Sequence, residues 1–441
     1  MVKKLITNNP HFGVYQQSKK RMSAQIQFLF FGLVYFDTLA AYNILMVPVP
    51  WLSYFISTLL LIVFVMRKSL TIAVPNYMFI LILYVFFALF VLGKNTVTNQ
   101  AFEMPSQATL PYIPFLLVRL FLLVGYIFTV VAVYSMSLLY GTRTIVKILI
   151  VALAVIAFSS LYIYISPLFG LWEPSRNRIG TGGQDFTTTQ ITFSYGFYRA
   201  LGTFREPGHL AAWIVGIFFF TSSISSSKHN TRNLLVAVLA IIVIILSGSL
   251  LGFIALATGI LVMLITGRFK FSFRSFLYLL ALVAGGMAVI YVFNIDFVGT
   301  LSPRIEALLS YGPSATNRFH VWKYFLEVQP PLLGFGLGNS NIKLSSYLGN
   351  SLMSSHLSIF LGSWYSLGYI GVLLVTLYLA FPFISVKTWK MARRDAILAA
   401  CMASLASWLV FYSGNNEEFA LIHAVIVGVF FGRLRELRQA K

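Results

Sequence analysis

Charge and sulfur are what this sequence has least of. Of its 441 residues only 10% are Asp, Glu, Lys or Arg, and just 12 are acidic. The one cysteine, Cys401, lies inside an apolar run, so neither a disulfide framework nor a cysteine metal site can be built. No group of His, Cys and carboxylates has metal-ligand spacing. Soluble domains average nearer a quarter charged, which sets this chain apart from them. Met1 to Arg21 is basic, but too long and polar for a signal-peptide n-region, and no small-residue cleavage site follows. There is no sequence repeat.

What is there is apolar: 58% hydrophobic, 16% aromatic, with a mean hydropathy of +0.83. Runs of about 20 apolar residues recur from end to end, the length that crosses a roughly 30 Å hydrocarbon core. They are continuous and do not alternate, which favours helices over a barrel. The expected fold class is all-α, a polytopic membrane protein of about twelve transmembrane helices. Residues 1–441 form a single integral membrane domain. A net charge of +20 would suit nucleic acid, but most Lys and Arg lie in short loops, where they set topology and suit anionic headgroups. Membrane lipid is therefore an expected partner and nucleic acid is not.

Spans are expected at Ala24–Leu45, Pro48–Met66, Thr71–Leu92, Tyr112–Tyr140, Ile148–Leu168 and His209–Ser223. After these come Phe276–Phe293, Leu357–Phe383, Ala396–Tyr412 and Phe419–Phe431. Between the two sets, Leu234–Gly267 is one apolar run with basic residues at both ends (Arg232 before; Arg268, Lys270 and Arg274 after). A single crossing cannot keep both ends inside. Two short helices in a hairpin are expected there, turning at Ser247–Gly248.

Basic loops place both termini inside and two polar segments outside, residues 171–207 and residues 294–356. The second segment is too long to be structureless. Its Phe319, Trp322, Phe325 and Leu326 predict an amphipathic helix over Ser314–Glu327 on the outer face.

Tyr198-Arg-Ala-Leu-Gly-Thr-Phe-Arg-Glu-Pro-Gly-His-Leu-Ala-Ala212 opens the sixth span. It gathers Arg199, Arg205, Glu206 and His209 at a membrane edge, where ionisable groups are costly and mark a pathway or a partner pair. Arg318 and His320 in Asn317–Trp322, and His356 in Ser354–Ser358, answer it on the same face. Arginine presents a rigid fork of donors suited to a diphosphate, and His or Glu nearby accepts a proton from a hydroxyl. An anion-binding site follows. Plainer roles compete: Arg176 and Arg178 as solvent or headgroup contacts, Arg199 and Arg205 as partners of Glu206 and Asp185, and His209 and His320 as packing or capping groups. His356 could serve only to start a helix. Asp37 and Arg119, inside apolar runs, read as a buried pair or as substrate contacts. Glu417 and Glu418 read as solvated.

Arg199-x-x-Gly202-Thr-Phe-x-Glu206-Pro-Gly208 resembles the central motif of the O-antigen polymerase and O-antigen ligase superfamily. Arg205 has Gly216 at the polymerases' Arg-x10-Gly spacing. Arg318-x-x-x-Trp322, followed by Pro331-Leu-Leu-Gly-Phe-Gly-Leu-Gly338, resembles the second periplasmic motif, and His356 with Gly368-x-x-Gly371 the third. The resemblance covers roughly Arg199 to Gly371 in motifs and the rest in topology only. It implies a metal-independent GT-C-type glycosyltransferase of the bacterial inner membrane, without cofactor, acting on undecaprenyl-diphosphate-linked oligosaccharide in polysaccharide or lipopolysaccharide biosynthesis. A chain-length regulator protein is a further implied partner. The arginines Arg199, Arg205 and Arg318 would hold the diphosphate, with Glu206 and His356 beside them in catalysis. The active site would face the periplasm. The ligase pattern has Asn, Ser or Gln after the histidine, where this chain has Leu357, and one residue fewer between His and Gly. Glu-Pro-Gly further leans to the polymerase. A ligase onto lipid A core is the near alternative, and a flippase or transporter of lipid-linked sugars the distant one.

Overall fold

The computed structural model describes residues 22–44, 47–66, 73–98, 102–106, 108, 110–172, 176, 191–194, 197–224, 230–268, 321–351, 353–414 and 416–440. Arg178, Arg318, His320 and the expected span at Phe276–Phe293 lie outside the described residues. Within them the chain is helical apart from two short antiparallel ribbons. The helices are α1 (Ala24–Phe36), α2 (Pro50–Met66), α3 (Met78–Val97), α4 (Tyr112–Tyr140), α5 (Thr142–Ile165), α6 (Pro207–Phe218), α7 (Asn230–Ser247) and α8 (Leu250–Ile265). After the undescribed stretch come α9 (Asn339–Leu348), α10 (Ile359–Ile384), α11 (Val386–Ala392), α12 (Ala396–Gly414) and α13 (Leu421–Gln439). The ribbons are β1 (Asn43–Ile44) with β2 (Val47–Pro48), and β3 (Ile191–Ser194) with β4 (Phe197–Ala200).

Among the described residues five helices, α3, α4, α5, α10 and α12, are long and apolar enough to cross a membrane. This is a multi-pass pattern. The helices α1, α2, α6, α7 and α8 are apolar and shorter. The first expected span ends early: α1 stops at Phe36, where the Thr38 hydroxyl donates to the Tyr35 carbonyl at 2.6 Å and the β1–β2 ribbon follows.

Hydrogen bonds between distant elements sort the helix termini into two ends. At one end, the Glu436 carboxylate near the close of α13 accepts from the Thr142 backbone N–H (3.1 Å) and hydroxyl (2.7 Å) at the start of α5. Arg433 bridges Asp395, just before α12. Arg268, after α8, reaches the Ala392 carbonyl in α11. At the other end, Ala41 donates to the Thr203 carbonyl, Arg199 reaches the close of α7, and Ser358 forms a bridge with Asn416.

Both Ser247 and Leu251 lie at this second end, the former under Arg199 and the latter with its side chain near Gly414, whereas Arg268 lies at the first. The run Leu234–Gly267 is therefore a hairpin, as expected. The Ser249 hydroxyl caps α8 by accepting from Gly252 N–H at 3.2 Å. Both arms lean on α6, with α7 also against α5 and α8 against α12.

Of the expected helix Ser314–Glu327, residues 321–327 are described and are helical. Val321, Tyr324 and Phe325 are buried against the protein, and Trp322 and Leu326 are 57% and 81% exposed. The residues that follow do something the sequence does not announce. The backbone of α10 breaks at Gly368 (φ 63°, ψ −157°), a conformation that only glycine adopts freely. The strip Pro331–Gly338 inserts beside the break: Phe335 N–H donates to the Tyr365 carbonyl and Gly336 N–H to the Ser366 carbonyl, each at 2.8 Å. These are acceptors that the broken helix leaves without its own donors. The Asn95 amide of α3 in turn donates to the Phe335 carbonyl.

Candidate functional site

His356 lies in the extended segment that leads into α10. The Ser358–Asn416 bridge draws this segment against the loop joining α12 to α13. Leu357 adopts φ 61°, the one positive value at a non-glycine among the described residues. Asn is favoured in that region and a branched apolar residue is not. Leu357 therefore meets this turn with an unfavoured side chain.

His356 is 1% exposed, its ring between Phe325 (centroids 6.2 Å) and Tyr365 (5.7 Å). Its partner is Glu417. One carboxylate oxygen accepts the His356 backbone N–H at 2.6 Å and lies 3.3 Å from ring Nδ1. The Asn341 side-chain amide, from α9, donates to both Glu417 oxygens at 3.0 Å and to the Ser354 carbonyl at 2.9 Å. Arg119 of α4 donates to Glu417 at 3.2 Å and also bonds Glu418. Burial alone would raise the Glu417 carboxyl, but the Arg119 guanidinium and the His356 hydrogen bonds reverse this and hold it at about 2. Glu417 is therefore an ionised acceptor and Nδ1 is the donor. Among the described residues, His356 Nε2 is buried without a hydrogen-bond partner.

A small, half-open cavity of about 50 Å³ lies here, lined by His356, Arg119, Asn341, Glu417, Glu418 and Tyr84 among others. Phe419 closes part of its wall and packs on Tyr126 at 4.9 Å between centroids. The lining mixes hydroxyls, carboxylates and aromatic surface.

The arginine stretch sits at the same end of the bundle. Strand β4 carries Arg199, whose Nε donates to the Ser247 carbonyl at 2.9 Å. It thus satisfies the carbonyl end of α7, where a cation is favourable. Arg176, expected at solvent or headgroups, is buried and donates to the Phe204 (2.9 Å) and Gly202 (2.6 Å) carbonyls. Both arginines thus shape the loop that presents Arg205. Burial lowers the Arg205 guanidinium from its usual value, and Glu206 offsets part of that. Glu206 is the N-cap of α6, Pro207 fills the first turn, and His209 stands one residue further in. Gly216 lets α6 close on α12: an added Cβ would stand 2.6 Å from Trp408 Nε1. The Arg205-to-Gly216 spacing thus has a packing cause. No residue of 199–209 lines the cavity beside His356.

The structure thus brings His356 together with Glu417, Glu418 and Asn341, which were not among the expected site residues, and with Arg119, read as a buried partner of Asp37 or a substrate contact. The reading of Glu417 as solvated is corrected, because it is held by Arg119 and His356; Glu418 is more exposed and also bonds Arg119. One signal was available: an arginine inside an apolar run requires an anion, and the chain has few to offer. No protein-family model matches the chain, and no curated protein matches it.

Proposed function

We propose that this chain is a metal-independent membrane glycosyltransferase. It would polymerise undecaprenyl-diphosphate-linked oligosaccharide repeat units for O-antigen, capsule or exopolysaccharide at the outer face of the bacterial inner membrane. The observation that carries the reading is His356, which lines the cavity with Nδ1 against Glu417 and leaves Nε2 buried without a partner among the described residues. That is the geometry of a base awaiting a hydroxyl proton. The motif resemblance supplies the substrate class. Arg205 and Arg318 hold the lipid diphosphate and stabilise it as it departs, while an acceptor sugar hydroxyl attacks the anomeric carbon.

Orientation follows from charge. Arg268, Arg433 and Arg435 gather at the end opposite His356, and basic loops face the cytoplasm. With twelve crossings, both termini are cytoplasmic and the site is periplasmic. His356, Arg119, Glu417 and Glu418 gathered at one end of the bundle fit a transferase better than a transporter, whose charges belong near the midplane between repeated halves.

Purified protein given undecaprenyl-diphosphate-linked oligosaccharide, without metal, should yield a ladder of longer lipid-linked products. Movement of the finished glycan onto lipid A core with no ladder would make it a ligase. An unchanged oligosaccharide under both conditions would refute the transferase reading.

A further inference from the structure

We infer that Glu417 is the positioning residue of this site: its carboxylate holds His356 in the Nδ1–H form and so leaves Nε2 as the proton acceptor. The tautomer stands on geometry alone, whereas its use in catalysis rests on the transferase proposed above.

The argument is one of counting donors. Glu417 Oε2 lies 3.3 Å from His356 Nδ1, and an ionised carboxylate has no hydrogen to give. Among the described residues, the only other hydrogen-bond neighbour of Nδ1 is the Asn341 amide nitrogen at 3.4 Å. That amide has two hydrogens, and its shorter contacts absorb both: the Ser354 carbonyl at 2.9 Å and the Glu417 oxygens at 3.0 Å. Nδ1 therefore carries the proton. A neutral imidazole has only one, so the lone pair is on Nε2.

Glu417 is fixed independently of the His356 ring. It accepts the His356 backbone N–H at 2.6 Å and bonds Arg119 at 3.2 Å, so both backbone and charge hold it in place. The charged and titratable groups facing this ring are Glu417 and Glu418 from the α12–α13 loop, Arg119 from α4, Tyr84 from α3 and Tyr365 from α10. Arg119 lies behind the carboxylates, where it balances their charge.

In the transfer step the acceptor O–H gives its proton to His356 Nε2. Its oxygen forms the new bond to the anomeric carbon, and the carbon–oxygen bond to the lipid diphosphate breaks with the electron pair going to phosphate. The imidazolium formed keeps its Nδ1–H on Glu417, which stabilises the new charge. The Nε2 proton is then released to water. A buried carboxylate that orients and stabilises a histidine in this way, without taking its proton, acts as the acid of a Ser-His-Asp triad does.

The test uses the full chain in lipid nanodiscs with 15N-labelled histidine, the His356 signals being identified by their loss in His356→Gln. We expect wild-type Nδ1 to read as protonated and Nε2 as bare. We expect Glu417→Gln to move the equilibrium toward Nε2–H, since the glutamine amide can donate to Nδ1. A wild-type ring carrying its proton on Nε2 overturns the inference whatever the enzyme's activity.

In turnover, Glu417→Gln should lower kcat at least about a hundredfold while leaving KM for the lipid-linked donor within about twofold. Glu417→Asp should recover much of that loss, because it keeps a carboxylate. Equal losses in Gln and Asp variants, or a loss confined to KM, would reduce Glu417 to a structural support. If the wild type has no transferase activity, the proposed function fails while the resonance measurement still decides the tautomer.

Discussion

Arg119 and Glu417 are 298 residues apart in the chain, yet their side chains meet at 3.2 Å. The contact ties the first turns of α4 to the loop between α12 and α13, and Glu418 joins it. Both main partners are largely buried, with side chains 14% and 12% exposed. Such a pair gives little net stability over an apolar one, but removing one partner strands the other.

Arg119→Ala should accordingly lower stability by about 3–5 kcal/mol, read as thermal unfolding in detergent. Combining it with Glu417→Gln should recover part of the loss, because the stranded charge is gone. Strict additivity of the two single losses would mean the pair is not coupled.

Acid should act through the same carboxylate. Glu417 is held at about 2 against an ordinary 4.5, so folding is favoured by its ionised form. That stability is fully present above about pH 4.5 and is lost as pH falls toward about 2, an effect on the order of 3 kcal/mol. Stability of Glu417→Gln, measured over the same range, should fall less steeply. Identical acid curves for variant and wild type would show that Glu417 is not depressed.

Gly368 stands where the Pro331–Gly338 strip crosses α10. An added Cβ would run into the Leu332 carbonyl oxygen, and φ there is +63°. Gly368→Ala should cost several kcal/mol from backbone strain and clash combined, with lower membrane yield and early melting. Gly93→Ala, where nothing lies within 4 Å, should be neutral and serves as the control.

The arginines should separate by role. Arg199→Lys removes a directed bond to the Ser247 carbonyl and should cost about 1–2 kcal/mol of stability. Arg205→Lys and Arg318→Lys keep the charge but lose the fork. Each should cut transfer about a hundredfold with folding intact. Polymer ladders from cells with matched membrane levels provide the readout. Wild-type ladders from both lysine variants would place the diphosphate elsewhere.

Much of the architecture was legible because membrane crossing leaves a length and charge record. The hairpin at Ser247 followed from Arg232 and Arg268 flanking one apolar run, a constraint that needs no tertiary knowledge. The site was legible only in part. His356 was reachable by motif, but Glu417 looks like any polar loop residue until Arg119 is brought to it. Arg176 and Arg199 could not be sorted from Arg205, because backbone carbonyls accept them and carbonyls leave no mark in a sequence. Within 321–327, apolar spacing marks the helix but not which apolar residues meet protein: Tyr324 and Phe325 pack against Tyr365, while Trp322 and Leu326 stay exposed.

Because Phe335 and Gly336 are hydrogen-bonded to carbonyls inside α10, the outer segment is moored in the bundle. Swinging that strip aside like a hatch would strip two carbonyls of their donors at membrane depth, at several kcal/mol apiece. The berth beside His356 therefore keeps Leu337, part of the moored strip, as a fixed wall.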